Sequence, residues 1–68
     1  MDSITIMYIN PHDGELGTRT LEAPEVGWTP DYEGYTRIWA NDERTYKTFV
    51  VPKANVLNID VSQGPQKE

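Results

Sequence analysis

Alternation of apolar and polar side chains with period two, turn-forming residues between the alternating runs, and the absence of any helical apolar spacing predict an all-β fold. Five such runs are present in 68 residues, enough for one domain. Each run is short, and five short strands in one small domain favour closure into a barrel, which hides strand edges that an open sheet leaves free.

The first strand is read from Ile4, Ile6 and Tyr8 alternating with Thr5, Met7 and Ile9. Asn10 to Gly17 is dense in turn formers, and Asp13-Gly14 supplies the left-handed position of a tight turn. The second strand is Thr18 to Ala23, closed by Pro24. Pro24 to Gly34 contains two prolines and two glycines, so it is expected to be a long loop rather than a helix or a regular strand. Tyr35 to Ala40 and Thr45 to Val51 are the third and fourth strands, joined by Asn41-Asp42-Glu43-Arg44. A four-residue loop there sets Ala40 opposite Thr45 and Trp39 opposite Tyr46. Pro52 to Asn55 is expected to form one short 3₁₀ turn. The fifth strand is Val56 to Val61, with Leu57, Ile59 and Val61 inward, and 62–68 is expected to be a polar, disordered C-terminal tail. The expected core is Ile4, Ile6, Leu21, Ile38, Phe49, Val51, Leu57 and Ile59. This order of strands and turns, with the 3₁₀ turn before the last strand, is that of a five-stranded SH3-like barrel over residues 1–61. An open meander that dimerises edge to edge is the alternative.

The chain has a formal net charge of −5, one histidine and no cysteine. Disulfides and the common zinc spacings are therefore absent. No cofactor or metal site is expected. The N-terminus lacks the basic start and apolar run of a signal peptide. No apolar stretch approaches the roughly 20 residues of a spanning helix. The expectation is a cytoplasmic protein away from the membrane.

Catalytic chemistry is not legible. His12 is the only side chain with an ordinary pKa near neutrality. It stands in a turn beside Asp13, where both side chains are expected to be solvated. There is no Gly-x-Ser-x-Gly elbow and no phosphate-cradling glycine loop. The carboxylates Asp13, Glu15, Asp42 and Glu43 also fall in expected exposed turns rather than in the cleft that paired catalytic carboxylates need.

Binding is the better-supported class. Aromatic residues concentrate in the segment from Trp28 to Tyr46, while the first two strands hold only Tyr8. Trp28, Asp31, Tyr32, Glu33 and Tyr35 form the candidate partner-binding set, an aromatic and acidic loop suited to a cationic or proline-rich segment of a larger protein. A second candidate set is Arg19, Arg37, Arg44, Lys47 and Lys53, for an anionic ligand or nucleic acid, with Trp39 or Tyr46 stacking on a base. A third possibility is a structural subunit, a homo-oligomer joined by strand edges.

Several segments together resemble WYL domains. These are Ile6-Met7-Tyr8 before a glycine-containing turn, Arg19-Thr20-Leu21-Glu22-Ala23-Pro24, Tyr35-Thr36-Arg37-Ile38-Trp39-Ala40, and Lys47-Thr48-Phe49-Val50-Val51. The resemblance implies an SH3/Sm-like barrel and a part in bacterial or phage regulation and ligand sensing. It also implies Arg19 and Lys47 as ligand contacts. The Trp-Tyr-Leu triplet that names the family is absent, and Lys47 and Val50 stand where basic residues of its Arg-x-Phe-Arg-Leu segment are usual.

Overall fold

The computed structural model describes residues 1–64. It is all-β, with six strands and one 3₁₀ turn. The strands are β1 (Asp2–Ile9), β2 (Leu16–Ala23), β3 (Glu25–Tyr32), β4 (Tyr35–Asn41), β5 (Tyr46–Pro52) and β6 (Val56–Ser62). The 3₁₀ turn, Lys53–Asn55, lies where the sequence places it. The strands form two antiparallel three-stranded sheets, ordered β2-β1-β6 and β3-β4-β5.

The main correction is β3. The segment expected to be a loop is a strand, and only Pro24 separates it from β2. Its proline and glycine are tolerated for local reasons. The pairing of β3 with β4 shifts by one residue between Thr29 and Tyr32, so Pro30 sits in a bulge on an edge strand. There its missing N–H interrupts no regular ladder. The Pro30 carbonyl accepts a hydrogen bond from Thr36 Oγ1 at 2.9 Å. Gly27 faces Trp39, whose indole occupies the space a side chain would need. The β3–β4 link is a two-residue turn, Glu33-Gly34, with φ of 53° and 89°. Positive φ at both positions is what a type I′ hairpin turn requires.

The core lies between the sheets. Ile4, Ile6, Leu21, Ala23, Ile38, Ala40 and Val51 are buried, with Tyr8, Val26, Phe49, Val56 and Ile59 packed around them. Ile4, Ile6, Ile38 and Val51 are the largest fully buried side chains. Each contributes about 1.5–3 kcal/mol through burial. The expected core holds for Ile4, Ile6, Leu21, Ile38 and Val51, while Phe49 and Ile59 are half-buried at its margin.

Leu57 departs from it. The β1–β6 register slips between Met7 and Tyr8, so Tyr8 pairs with Val56 and Leu57 becomes the extra residue of a bulge. Leu57 points outward and is exposed, and Val56 takes the inward place. Val61 pairs with Ile4 and so shares the core-facing side, yet it remains exposed on an edge strand.

The β4–β5 loop is four residues long but begins one residue later than expected. Asn41 pairs with Tyr46, Ala40 with Lys47 and Trp39 with Thr48, and the Asp42 N–H donates to the Thr45 carbonyl at 2.8 Å. The tail begins later too, because Ser62 belongs to β6 and the Gly64 N–H donates to Asp2 Oδ1. The remainder of the expected tail, 65–68, lies outside the described residues.

Candidate functional site

Directly paired residues of neighbouring strands project from the same face of a sheet. The pairings therefore sort every side chain of β3, β4 and β5. The core-facing side carries Val26, Trp28, Thr36, Ile38, Ala40, Lys47, Phe49 and Val51. The opposite, solvent-facing side carries Tyr35, Arg37 and Trp39 along the central strand. Flanking them are Thr29 and Tyr32 from β3, and Tyr46, Thr48 and Val50 from β5.

The bulge at Pro30 decides the composition of this face. Without it, strict alternation sets Tyr32 on the side of Trp28. The extra residue flips Tyr32 to the outer side, where its ring lies 5.3 Å from the Arg37 guanidinium carbon. At the other end of the face, Trp39 and Tyr46 stack with ring centroids 6.4 Å apart and planes inclined by 23°. They are diagonal neighbours rather than the direct pair expected from sequence, but they share a face in either register.

Two aromatic ridges result. Tyr32 and Tyr35 form one, Trp39 and Tyr46 the other, and the row Thr29–Arg37–Val50 lies between them, while Thr48 stands directly opposite Trp39. Tyr32, Tyr35, Tyr46 and Val50 are each about half exposed (44–55%). Exposed aromatic side chains gathered on one face of a sheet mark a candidate interaction surface. The Nε atom of Arg37 is buried and has no hydrogen-bond partner among the described residues.

The candidate partner set is thus divided. Tyr32 and Tyr35 lie on the outer platform. Trp28 is exposed (45%) but on the other side of the sheet, opposite Ile38 at the open margin of the sandwich. Asp31 works as a clamp for the turn. Its Oδ1 accepts the Gly34 N–H at 3.1 Å, and its Oδ2 pairs with Lys53 Nζ at 3.1 Å. The Gly34 hydrogen bond first, and then Lys53, hold the Asp31 carboxyl below its ordinary pKa. Glu33 projects from the turn and is exposed.

The basic set is scattered. Arg19 faces the core side of its sheet, opposite Ile6, with its guanidinium 5.0 Å from the Phe49 ring centre. Lys47 faces the core side of the other sheet, opposite Ala40. Arg44 is in the β4–β5 loop, Lys53 is paired with Asp31, and only Arg37 joins the platform. Phosphate backbones are normally met by a continuous basic stripe, which these five residues do not form.

A shallow groove of about 290 Å³ lies elsewhere, between the β1–β2 loop at Pro11 and His12 and the end of β5 at Phe49 to Pro52. Tyr8 and Phe49 meet in it at 5.4 Å. Among the described residues, no three or more His, Asp or Glu side chains are grouped to hold a metal ion, and no helix is long and apolar enough to cross a membrane.

Sequence reasoning found the residue types of the platform but missed Arg37 and Trp39 as companions of Tyr32 and Tyr35. The signal was the i, i+2, i+4 spacing of Tyr35, Arg37 and Trp39, which puts all three on one face of a strand. No family model, curated protein or solved structure matches the chain.

Proposed function

We propose that this protein is a small, acidic, non-catalytic interaction module that docks on a larger protein through the outer face of the β3-β4-β5 sheet. The observation that carries this reading is the gathering of Tyr32, Tyr35, Arg37, Trp39 and Tyr46 on one solvent-facing surface. Tyr, Trp and Arg are the residue types that anchor protein interfaces. The modest core adds support. Seven buried apolar side chains, two of them alanine, hold a chain that has no disulfide. Domains this small gain from a partner that covers further apolar surface.

The SH3-like reading of the fold remains our proposal as well. It is supported by β2 and β3, which form nearly one bent strand shared by both sheets, and by a 3₁₀ turn leading into the last strand. The WYL likeness, a bacterial or phage regulatory or inhibitory role and a cytoplasmic location belong to the same proposal.

Assembly through strand edges is disfavoured. The β3 and β6 edges carry bulges, and the regular edges β2 and β5 each turn one cation, Arg19 or Lys47, toward the core side. Bulges and inward-pointing charges are the usual devices against edge pairing.

Photo-crosslinking tests the docking face. A benzophenone side chain replacing Val50 on the platform should capture the larger protein partner, and the same group replacing Thr18 on the outer face of the other sheet should not. Capture at Thr18 alone, or equally at both, would assign docking elsewhere.

A further inference from the structure

We infer that Thr36, a residue that no partner on the platform can touch, decides which face of the sheet Tyr32 joins, by holding the β3 bulge in place. Thr36 is thus a positioning residue for the platform. This holds in the free protein; its consequence for docking rests on the docking reading above.

Thr36 lies on the core-facing side of β4, opposite Val51 and two residues from Ile38. It is 3% exposed and is the one buried polar residue among those described. A buried hydroxyl is costly unless it is hydrogen-bonded, and valine fills nearly the same space without that demand. The Thr36 hydroxyl meets the demand by donating to the Pro30 carbonyl at 2.9 Å.

The acceptor belongs to the bulge. Thr29 pairs with Arg37 and Tyr32 with Tyr35, so two residues of β3, Pro30 and Asp31, stand opposite Thr36 alone. The extra residue of a bulge interrupts the ladder and re-aims the backbone around it. In a regular antiparallel ladder, carbonyls point across the strands at backbone N–H groups. A hydroxyl on the core side is then left without this acceptor, and alternation returns Tyr32 to the side of Trp28. The Thr36 hydroxyl therefore favours the bulged register, with Tyr32 outward beside Arg37, over a regular one that strands a buried donor.

Other contacts at the same hairpin tip hold it less firmly. Asp31 accepts the Gly34 N–H and pairs with Lys53, and the Lys53 N–H donates to the Gly34 carbonyl at 3.0 Å. The Asp31 and Lys53 side chains are 59% and 56% exposed, so water and salt compete with their pairing. These bonds close the turn, and none of them reaches the Pro30 carbonyl.

Two variants separate hydroxyl from shape. Thr36→Val keeps the shape and removes the hydroxyl, whereas Thr36→Ser keeps the hydroxyl and removes a methyl group. Nuclear Overhauser contacts of the Tyr32 ring are measured in each. Thr36→Val should shift the register equilibrium about tenfold or more, the scale of one stranded hydroxyl. The shift is read as loss of Tyr32–Arg37 contacts and gain of Tyr32–Trp28 contacts. Thr36→Ser should keep the contacts of the parent. Deleting Pro30 distinguishes this role from ordinary core packing. The deletion leaves a single residue opposite Thr36 and keeps Tyr32 outward by plain alternation. The hydroxyl then has no bulge to hold, and Thr36→Val in that background should leave the Tyr32–Arg37 contacts in place. A Thr36→Val protein that unfolds with Pro30 present but folds without it supports the inference equally. Parental Tyr32 contacts in Thr36→Val, their loss in Thr36→Ser, or unfolding of Thr36→Val in both backgrounds while the Pro30 deletion alone folds would overturn it.

The crosslinker at Val50 tests the docking consequence separately. Capture lost in Thr36→Val and kept in Thr36→Ser carries the effect to the partner. Capture unchanged while Tyr32 has moved would remove Tyr32 from the docking site. Absence of capture by the parent would sink the docking reading and leave the role of Thr36 in the free protein standing.

Discussion

Replacing Gly27 by alanine should destabilise the protein, although a glycine in a strand is normally a weakness that alanine repairs. A Cβ at Gly27 would lie 2.2 Å from Cζ2 and 2.6 Å from Cε2 of Trp39. Ordinary contact begins near 3.4 Å, so the indole must retreat by 3.4 − 2.2, roughly 1.2 Å. Retreat loosens the Trp39–Tyr46 stack. Relief of the glycine's entropy favours alanine by about 0.5–1 kcal/mol. Overpacking opposes it by about 1–3 kcal/mol, and the lost aromatic pair by about 0.5–1.5 kcal/mol. The net is a destabilisation of about 0.5–4 kcal/mol, centred near about 2 kcal/mol. At about 4–8 °C per kcal/mol for a domain of this size, the melting temperature should fall by roughly 5–20 °C. Thermal unfolding followed by circular dichroism measures it. In a Trp39→Ala background the clash is gone, and the same substitution should become neutral or stabilising, a non-additivity that reports direct contact. A Gly27→Ala variant that melts higher than the parent would refute the argument and place Trp39 away from Gly27.

Two other perturbations probe the β3–β4 turn. Glu33 holds a left-handed backbone at φ 53°, where asparagine is better suited, so Glu33→Asn should stabilise by about 0.5–1 kcal/mol in urea unfolding. Asp31 has a lowered pKa in the folded state, so its contribution is present at neutral pH. That contribution should be lost as pH falls below the ordinary value of 3.8 and through the folded pKa, and Asp31→Ala should flatten this part of the stability–pH curve.

Much of the architecture was legible because it rests on local patterns. Ile4, Ile6 and Tyr8 alternate cleanly, and Pro52 at the end of β5 precedes the expected 3₁₀ turn. What was hidden depends on tertiary context. Pro30 and Gly27 read as loop residues, but an edge bulge accepts the proline and the Trp39 ring covers the glycine. Two bulges then reversed the face of single residues. One moved Tyr32 away from Trp28, and the other pushed Leu57 out of the core. Each bulge shifts the phase of the alternation at a point the local residue pattern does not announce, so a site assembled from neighbours in sequence joined Trp28 to residues on the other side of the sheet. The cations misled for a related reason. Nearness in sequence does not specify a shared face, and of the five candidate cations Arg37 alone lies beside the aromatic ridges.

The placement of Tyr32 is the most direct test of the account, and nuclear Overhauser contacts from its ring in the free protein measure it. The account predicts contacts from Tyr32 to the Arg37 side chain and none to Ile38. Contacts from Tyr32 to Ile38 and Trp28 would mean that the bulge is absent, that the outer platform loses one of its two ridges, and that the aromatic residues belong to the open margin of the core instead.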